Sequence, residues 1–379
     1  MTGRDDARRR DHITGPEDVP GPDDMAGRHH ATDPDDMTGR HHATDPHDMT
    51  GPDAVRAVDL DEDGWLTWAT PHGPVPVPAA RLDAHFAEHL TPPPWATDIV
   101  VYVHGWQTSP ESSVAALRTL LALVERQLAE RQALYPGLSS GVRRFAPWPV
   151  LVRWPSRSLP SLAGYRRIRE RAHTMSTRGH AARVIGQLLG ILDAQRGDPA
   201  PVLRTRTGQY LHLAGHSFGC RLLCEAVQWA AGEQPRTLGW STPKPPGRPF
   251  TVDSMLLLQM AAPRDAFAAT FTALGEAPLR GPVVATYSQH DRATGFWHLR
   301  AEKRAGIGYA GIGTAPAPVS AIRMLPPHEP YPLAALDHRF VSVDASDVFV
   351  RGRGPAGAHS DHLRAESAHL LLSLADHCR

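Results

Sequence analysis

YLHLAGHSFGCRLLCE, residues Tyr210 to Glu225, opens as a short apolar run, turns at Gly215-His216-Ser217-Phe218-Gly219, and continues with helix-like spacing. A strand, a sharp turn and a helix in this order present the side chain at the turn. A serine hydroxyl is a poor nucleophile unless it is held exposed beside a base. The tight turn that exposes it crowds the residues two before and two after, and glycine suits both places. Here those places are Gly215 and Gly219. The helix that follows points its first amides, Phe218 among the nearest, toward any negative charge formed beside Ser217.

The five-residue pattern alone is weak, because Gly137-Leu138-Ser139-Ser140-Gly141 matches it too. That match follows Tyr135-Pro136 with no apolar strand before it, and Val142-Arg143-Arg144 after it begins no amphipathic helix. Context selects Ser217 and makes Ser139 a loop residue.

The chain has 379 residues and is 41% hydrophobic, enough for a substantial core. Lys+Arg and Asp+Glu both number 40, so there is no basic excess of the kind expected for binding nucleic acid or an anionic membrane. Cys220, Cys224 and Cys378 make neither a disulfide framework nor a zinc motif, and Cys220 and Cys224 read as packing residues on one helix. The opening MTGRDDARRRDHITG lacks the apolar core of a signal peptide. No apolar run reaches the ~18 residues of a membrane span. A cytoplasmic protein with no stable membrane insertion is expected.

Residues 1–54 differ from the rest. Gly21–Thr32 (GPDDMAGRHHAT) is followed by Asp33–Thr44 (DPDDMTGRHHAT) and a shorter copy from Asp45. Almost nothing there could be buried, which predicts a disordered extension. His29, His30, His41, His42 and His47 give it a metal-binding reading, with a solvated tail as the plainer one. From Val55, AVRAVDL and WLTWAT flank Asp61-Glu62-Asp63-Gly64, a hairpin signal. Asp98–Val103, Pro149–Trp154, Tyr210–Ala214, Val252–Met260, Pro282–Tyr287 and Phe340–Val343 are apolar runs suited to strands buried on both faces. Helical stretches are expected from Ser109-Pro110-Glu111, over 165–195, after Ser217, over Asp265–Gly275, and over Asp361–His377 with Asp361 as its cap. Alternation of this kind predicts an α/β fold with a mostly parallel central sheet flanked by helices and sites beyond the C-terminal strand ends. The candidates there are His104-Gly105, Ser217, Asp291 and the loop before the last helix.

The order of an HG turn after an early strand, the glycine-flanked serine, a later acid and a late histidine resembles the α/β-hydrolase superfamily. The resemblance spans about 55–379 and is nearest to a bacterial esterase/lipase-like branch with VYVHGW, GHSFG and HSD motifs. It implies an α/β-hydrolase fold and a serine hydrolase that uses no cofactor or metal and acts on a small-molecule ester or thioester with a small to medium apolar acyl group. Ser217 matches the nucleophile. Asp291, after the PVVATY strand, matches the acid, with Asp265 and Asp344 as alternatives. His359, in Gly357-Ala358-His359-Ser360-Asp361, matches the base, with His362 as competitor. The oxyanion hole takes the Phe218 amide and one from Trp106 or Gln107. Gly105 and His216 shape the substrate side, and 295–337 is expected as a lid or insertion. An acyltransferase on the same residues, or a non-catalytic binding protein on the same scaffold, are the other readings.

Overall fold

The computed structural model describes residues 55–139, 144–196, 209–231, 252–277, 279–352 and 354–379. The repeat extension expected over 1–54 lies outside them.

Ten strands form one sheet: β1 (Arg56–Leu60), β2 (Leu66–Thr70), β3 (Gly73–Pro76), β4 (Asp98–Val103), β5 (Pro147–Arg153), β6 (Tyr210–His216), β7 (Ser254–Leu258), β8 (Val283–Tyr287), β9 (Val319–Arg323) and β10 (Phe340–Asp344). Their order is β3-β2-β1-β5-β4-β6-β7-β8-β10-β9. From β1 to β9 every pairing is parallel, and only β1–β2 and β2–β3 are antiparallel. The chain is thus of the α/β class, with a mostly parallel sheet flanked by helices.

The expected hairpin forms around Asp61, whose carboxylate accepts from the Asp63 and Trp65 amides. The central strands alternate between two cores. Ile99, Val101 and Val103 of β4, Leu211 and Leu213 of β6, and Met255 and Leu257 of β7 face one. Tyr102, Ala214, Leu256 and Leu258 face the other. The first core is roofed by α1 (Leu82–His89), α3 (Leu162–Thr177), α4 (Ala181–Gln195) and α5 (Gly219–Ala231). The second is covered by α2 (Pro110–Arg131) and α6 (Ala365–His377). Both faces are covered, which explains strands that are apolar at most positions, while the buried His212 of β6 is bonded to Asp98 of β4 and Ser254 of β7.

Helix α2 starts as its sequence signals. Ser109 accepts from the Ser112 amide, Ser112 returns the bond, and Pro110 holds the first helical position. Several expectations shift. The helical stretch 165–195 is two helices, α3 and α4, separated at Arg178-Gly179-His180. The helix expected over Asp265–Gly275 is two single turns, Ala266–Ala269 and Thr272–Gly275. Helix α6 begins only at Ala365, with Arg364 before it and no side-chain cap. Asp361 therefore does not cap it; its carboxylate instead accepts from the Arg351 amide and from Arg364. Strand β9 lies inside the stretch expected as an insertion and pairs in parallel with β10.

Candidate active site

Ser217 sits where β6 gives way to α5, with φ at +56°, a strained value for a residue with a side chain. The turn is pinned by its own backbone. The Ser217 amide donates to Leu258 O at 3.0 Å, and its carbonyl accepts from the Ala261 amide at 3.2 Å. A Cβ at Gly219 would fall 2.3 Å from Val103 O and 2.5 Å from His104 O, so only glycine lets α5 start this close to β4. A Cβ at Gly105 would fall 2.7 Å from His216 Nδ1 and 2.8 Å from Ser217 Cβ. The glycines read from the sequence are thus fixed by close approach.

Ser217, His359 and Asp291 meet although they lie far apart in the chain. His359 Nε2 is 2.7 Å from Ser217 Oγ, and His359 Nδ1 is 2.8 Å from Asp291 Oδ2. A carboxylate only accepts, so Nδ1 carries the proton and Nε2 is left to accept from the hydroxyl. Ser217 is 1% exposed, His359 5% and Asp291 fully buried. The acid and histidine loops are laced together: Ala358 N donates to His290 O at 2.9 Å, and Arg292 N donates to Ala356 O at 3.1 Å.

Gln259, at the end of β7, carries no signal in the sequence. It is buried with φ at +48°. Its Nε2 donates to Asp291 Oδ2 at 3.1 Å and to Ala358 O at 3.0 Å, so one amide ties the acid to the histidine loop. The Thr294 amide donates to Asp291 Oδ1 at 3.0 Å. Asp291 thus accepts three bonds, all from groups that fix its orientation.

His216 donates from Nε2 to His359 O at 2.8 Å and stacks on His362, ring centroids 3.8 Å apart. Burial, then His362 and His359, hold His216 well below its usual pKa. His362 has no partner on either ring nitrogen among the described residues. Burial first, and then His359, bring it down to about 3. It reaches neither Ser217 nor Asp291 by a hydrogen bond, whereas His359 reaches both. His104 accepts from the Trp154 amide and donates to Gly105 O, and burial lowers it to about 4.

Of the two amides expected after β4, that of Gln107 donates to Ser156 O at 3.1 Å. The Trp106 and Phe218 amides have no acceptor among the described residues. The Trp106 indole donates to Ser158 Oγ at 2.8 Å, and its ring meets Tyr165 edge-on. Asp265 pairs with Arg304 at the surface, and Asp344 bonds Ser346. Ser139 lies in the helical turn Pro136–Ser139, its hydroxyl donating to Gln132 O; Ser140 and Gly141 fall outside the described residues. Among the described residues no group of three or more His, Cys, Asp or Glu is placed to hold a metal ion, and no helix is long and apolar enough to cross a membrane. The His-rich repeats lie outside the described residues.

No protein-family model matches the chain, and neither does any curated protein. Among solved structures it is similar to TT1662 from Thermus thermophilus, at 15% identity and a TM-score of 0.31, covering 75% of this chain and 89% of that one. A likeness this loose carries no argument about the reaction.

Proposed function

We propose that the chain is a serine hydrolase that cleaves carboxylic esters or thioesters through an acyl-enzyme on Ser217. The supporting observation is the hydrogen-bond chain from Ser217 through His359 to Asp291, at 2.7 and 2.8 Å. Ser217 Oγ attacks the substrate carbonyl while His359 Nε2 takes its proton. Asp291 holds the imidazole with Nδ1–H toward itself and stabilises the imidazolium. The developing oxyanion falls to the free amides of Phe218 and Trp106; Gln107 drops out of this role because its amide is engaged by Ser156. The imidazolium returns its proton to the leaving alkoxide or thiolate. Water, deprotonated by His359, then attacks the acyl carbon and releases the acid. Gln259 and His216 position the acid and the histidine loop. The part of 295–337 nearest Asp291, carrying Phe296 and Trp297, forms a wall of the site in this reading.

A series of p-nitrophenyl esters of graded chain length is the direct assay. The expected result is turnover on at least one member, lost by a factor of roughly 10⁴–10⁶ in Ser217→Ala. Turnover surviving in Ser217→Ala refutes the assignment.

A further inference from the structure

The turn that offers the Trp106 amide belongs to neither a strand nor a helix. Strands β4 and β5 pair as far as Val103 and Val152. Past that register the two chains stay bonded. Trp154 donates from its amide to His104 Nε2 at 3.2 Å and from its indole to His104 O at 2.8 Å. The Gln107 amide donates to Ser156 O at 3.1 Å. The Thr108 amide donates to Ser156 Oγ at 3.3 Å, and that hydroxyl donates to Thr108 O at 3.1 Å. Ser158 closes the run. Its Oγ accepts from the Trp106 indole at 2.8 Å, and its carbonyl accepts from Gln107 Nε2 at 2.6 Å. Residues 154–158 thus lie as a splint along 104–108.

The turn needs such support. Gln107 has φ at +61°, a left-handed conformation that a residue with a side chain keeps only when its surroundings hold it. On the other side Gly105 leaves no slack, since a Cβ there would fall 2.8 Å from Ser217 Cβ. The Trp106 amide is thus placed from two directions, by Gly105 against Ser217 and by the splint. Ser158 is itself anchored. Its hydroxyl donates to Gly164 O at 3.1 Å, and a Cβ at Gly164 would fall 3.0 Å from Ser158 Oγ. Tyr165, the next residue of α3, meets the Trp106 ring edge-on with centroids 5.3 Å apart. The indole is therefore held at both its ring and its N–H.

We propose that Ser158 is a positioning residue for the oxyanion hole: by holding the Trp106 indole and the Gln107 side chain, it sets the direction of the Trp106 amide. This rests on the hydrolase reading above. Ser158 touches no reacting atom. Removing its hydroxyl takes the acceptor from the indole N–H, and a donor left without a partner turns to find another. The amide on the same residue then leaves its aim. One donor in such a hole is worth roughly 10²–10³ in rate, and a misplacement of about 1 Å loses much of that.

The test uses diisopropyl phosphorofluoridate and its P=S analogue on the full chain, read by intact mass as second-order rates of labelling at Ser217. With either reagent Ser217 Oγ bonds to phosphorus, fluoride leaves, and the hydroxyl proton passes to His359. The phosphoryl oxygen gathers charge that the amides of the hole stabilise, whereas sulfur accepts such bonds weakly. The ratio of the P=O rate to the P=S rate therefore reads the hole, while a general loosening of the site slows both reagents alike. Ser158→Ala is expected to lower the ratio by ~10-fold or more, almost wholly through the P=O rate. Trp106→Phe keeps a ring beside Tyr165 but loses the N–H, and should lower it likewise. The double variant should fall no further, because both changes remove one bond. Thermal melts show whether each variant folds. A ratio unchanged in either folded variant overturns the role and leaves the hydrolase reading standing, as does a double variant whose fall is the product of the two single ones. A wild type labelled by neither reagent overturns the hydrolase reading and this role with it.

Discussion

Replacing Asp291 by Asn separates a catalytic acid from a structural carboxylate. Asp291 accepts from His359 Nδ1 at 2.8 Å, Gln259 Nε2 at 3.1 Å and the Thr294 amide at 3.0 Å. Asn offers one accepting oxygen and one NH₂, and every partner is a donor. If the oxygen faces His359 and Gln259, the NH₂ opposes the Thr294 amide, and a buried clash of that kind costs about 1–3 kcal/mol. If the oxygen faces Thr294, the NH₂ opposes His359 and drives its proton to Nε2, where it meets Ser217 and leaves no base. Either way the imidazolium loses its anion. Turnover should fall by about 10³–10⁴, or ~4–5 kcal/mol of barrier, with a stability loss of about 1–3 kcal/mol. The assay is kcat on p-nitrophenyl butyrate between pH 6 and 9, with a urea midpoint on the same preparation. Folded Asp291→Asn retaining more than roughly a tenth of wild-type kcat refutes the reasoning. Asp265→Asn and Asp344→Asn should leave kcat within a few-fold.

Gly105→Ala should lower esterase turnover far more than it lowers the melting temperature, because its methyl would press on His216 and Ser217; unchanged kcat contradicts the close approach. His362→Leu should keep turnover within a few-fold and flatten acid sensitivity. Burial depresses the folded pKa of His362 to about 3, so its contribution is complete above the unfolded value of about 6.5 and is lost as pH falls toward 3. Urea midpoints at pH 7.5 and pH 5 read this, with a smaller drop expected in the variant than in wild type. Arg379→Ala should destabilise by about 3–5 kcal/mol in urea. Burial opposes the charge on Asp98, but Arg379, His212 and Thr97 outweigh it and bring that pKa down to about 2; a cost under ~1 kcal/mol would show that the pair is not holding the buried carboxylate.

Much of this was legible because the local signals had one physical solution. The covered central strands had to be mostly apolar on both faces, and Gly215 and Gly219 had to flank a crowded turn. Asp291 and His359 were singled out by the resemblance to the α/β-hydrolase superfamily, and the structure brings both within hydrogen-bond reach of one another and of Ser217 through His359. What escaped notice depended on tertiary contact. Gln259 is a single amide after an apolar strand, and nothing local says that it binds Asp291 and Ala358 together. Strand β9 is short and partly exposed at the sheet edge, so its sequence lacks the apolar run of the central strands.

The central claim is that Ser217 is the nucleophile. Intact-mass analysis after treatment with a fluorophosphonate, followed by peptide mapping, tests it most directly. The account predicts one adduct per chain, on the peptide carrying Gly215-His216-Ser217-Phe218-Gly219, and none in Ser217→Ala or His359→Ala on the same timescale. An unlabelled wild type, or an adduct on Ser139 or any other residue that persists in Ser217→Ala, contradicts it.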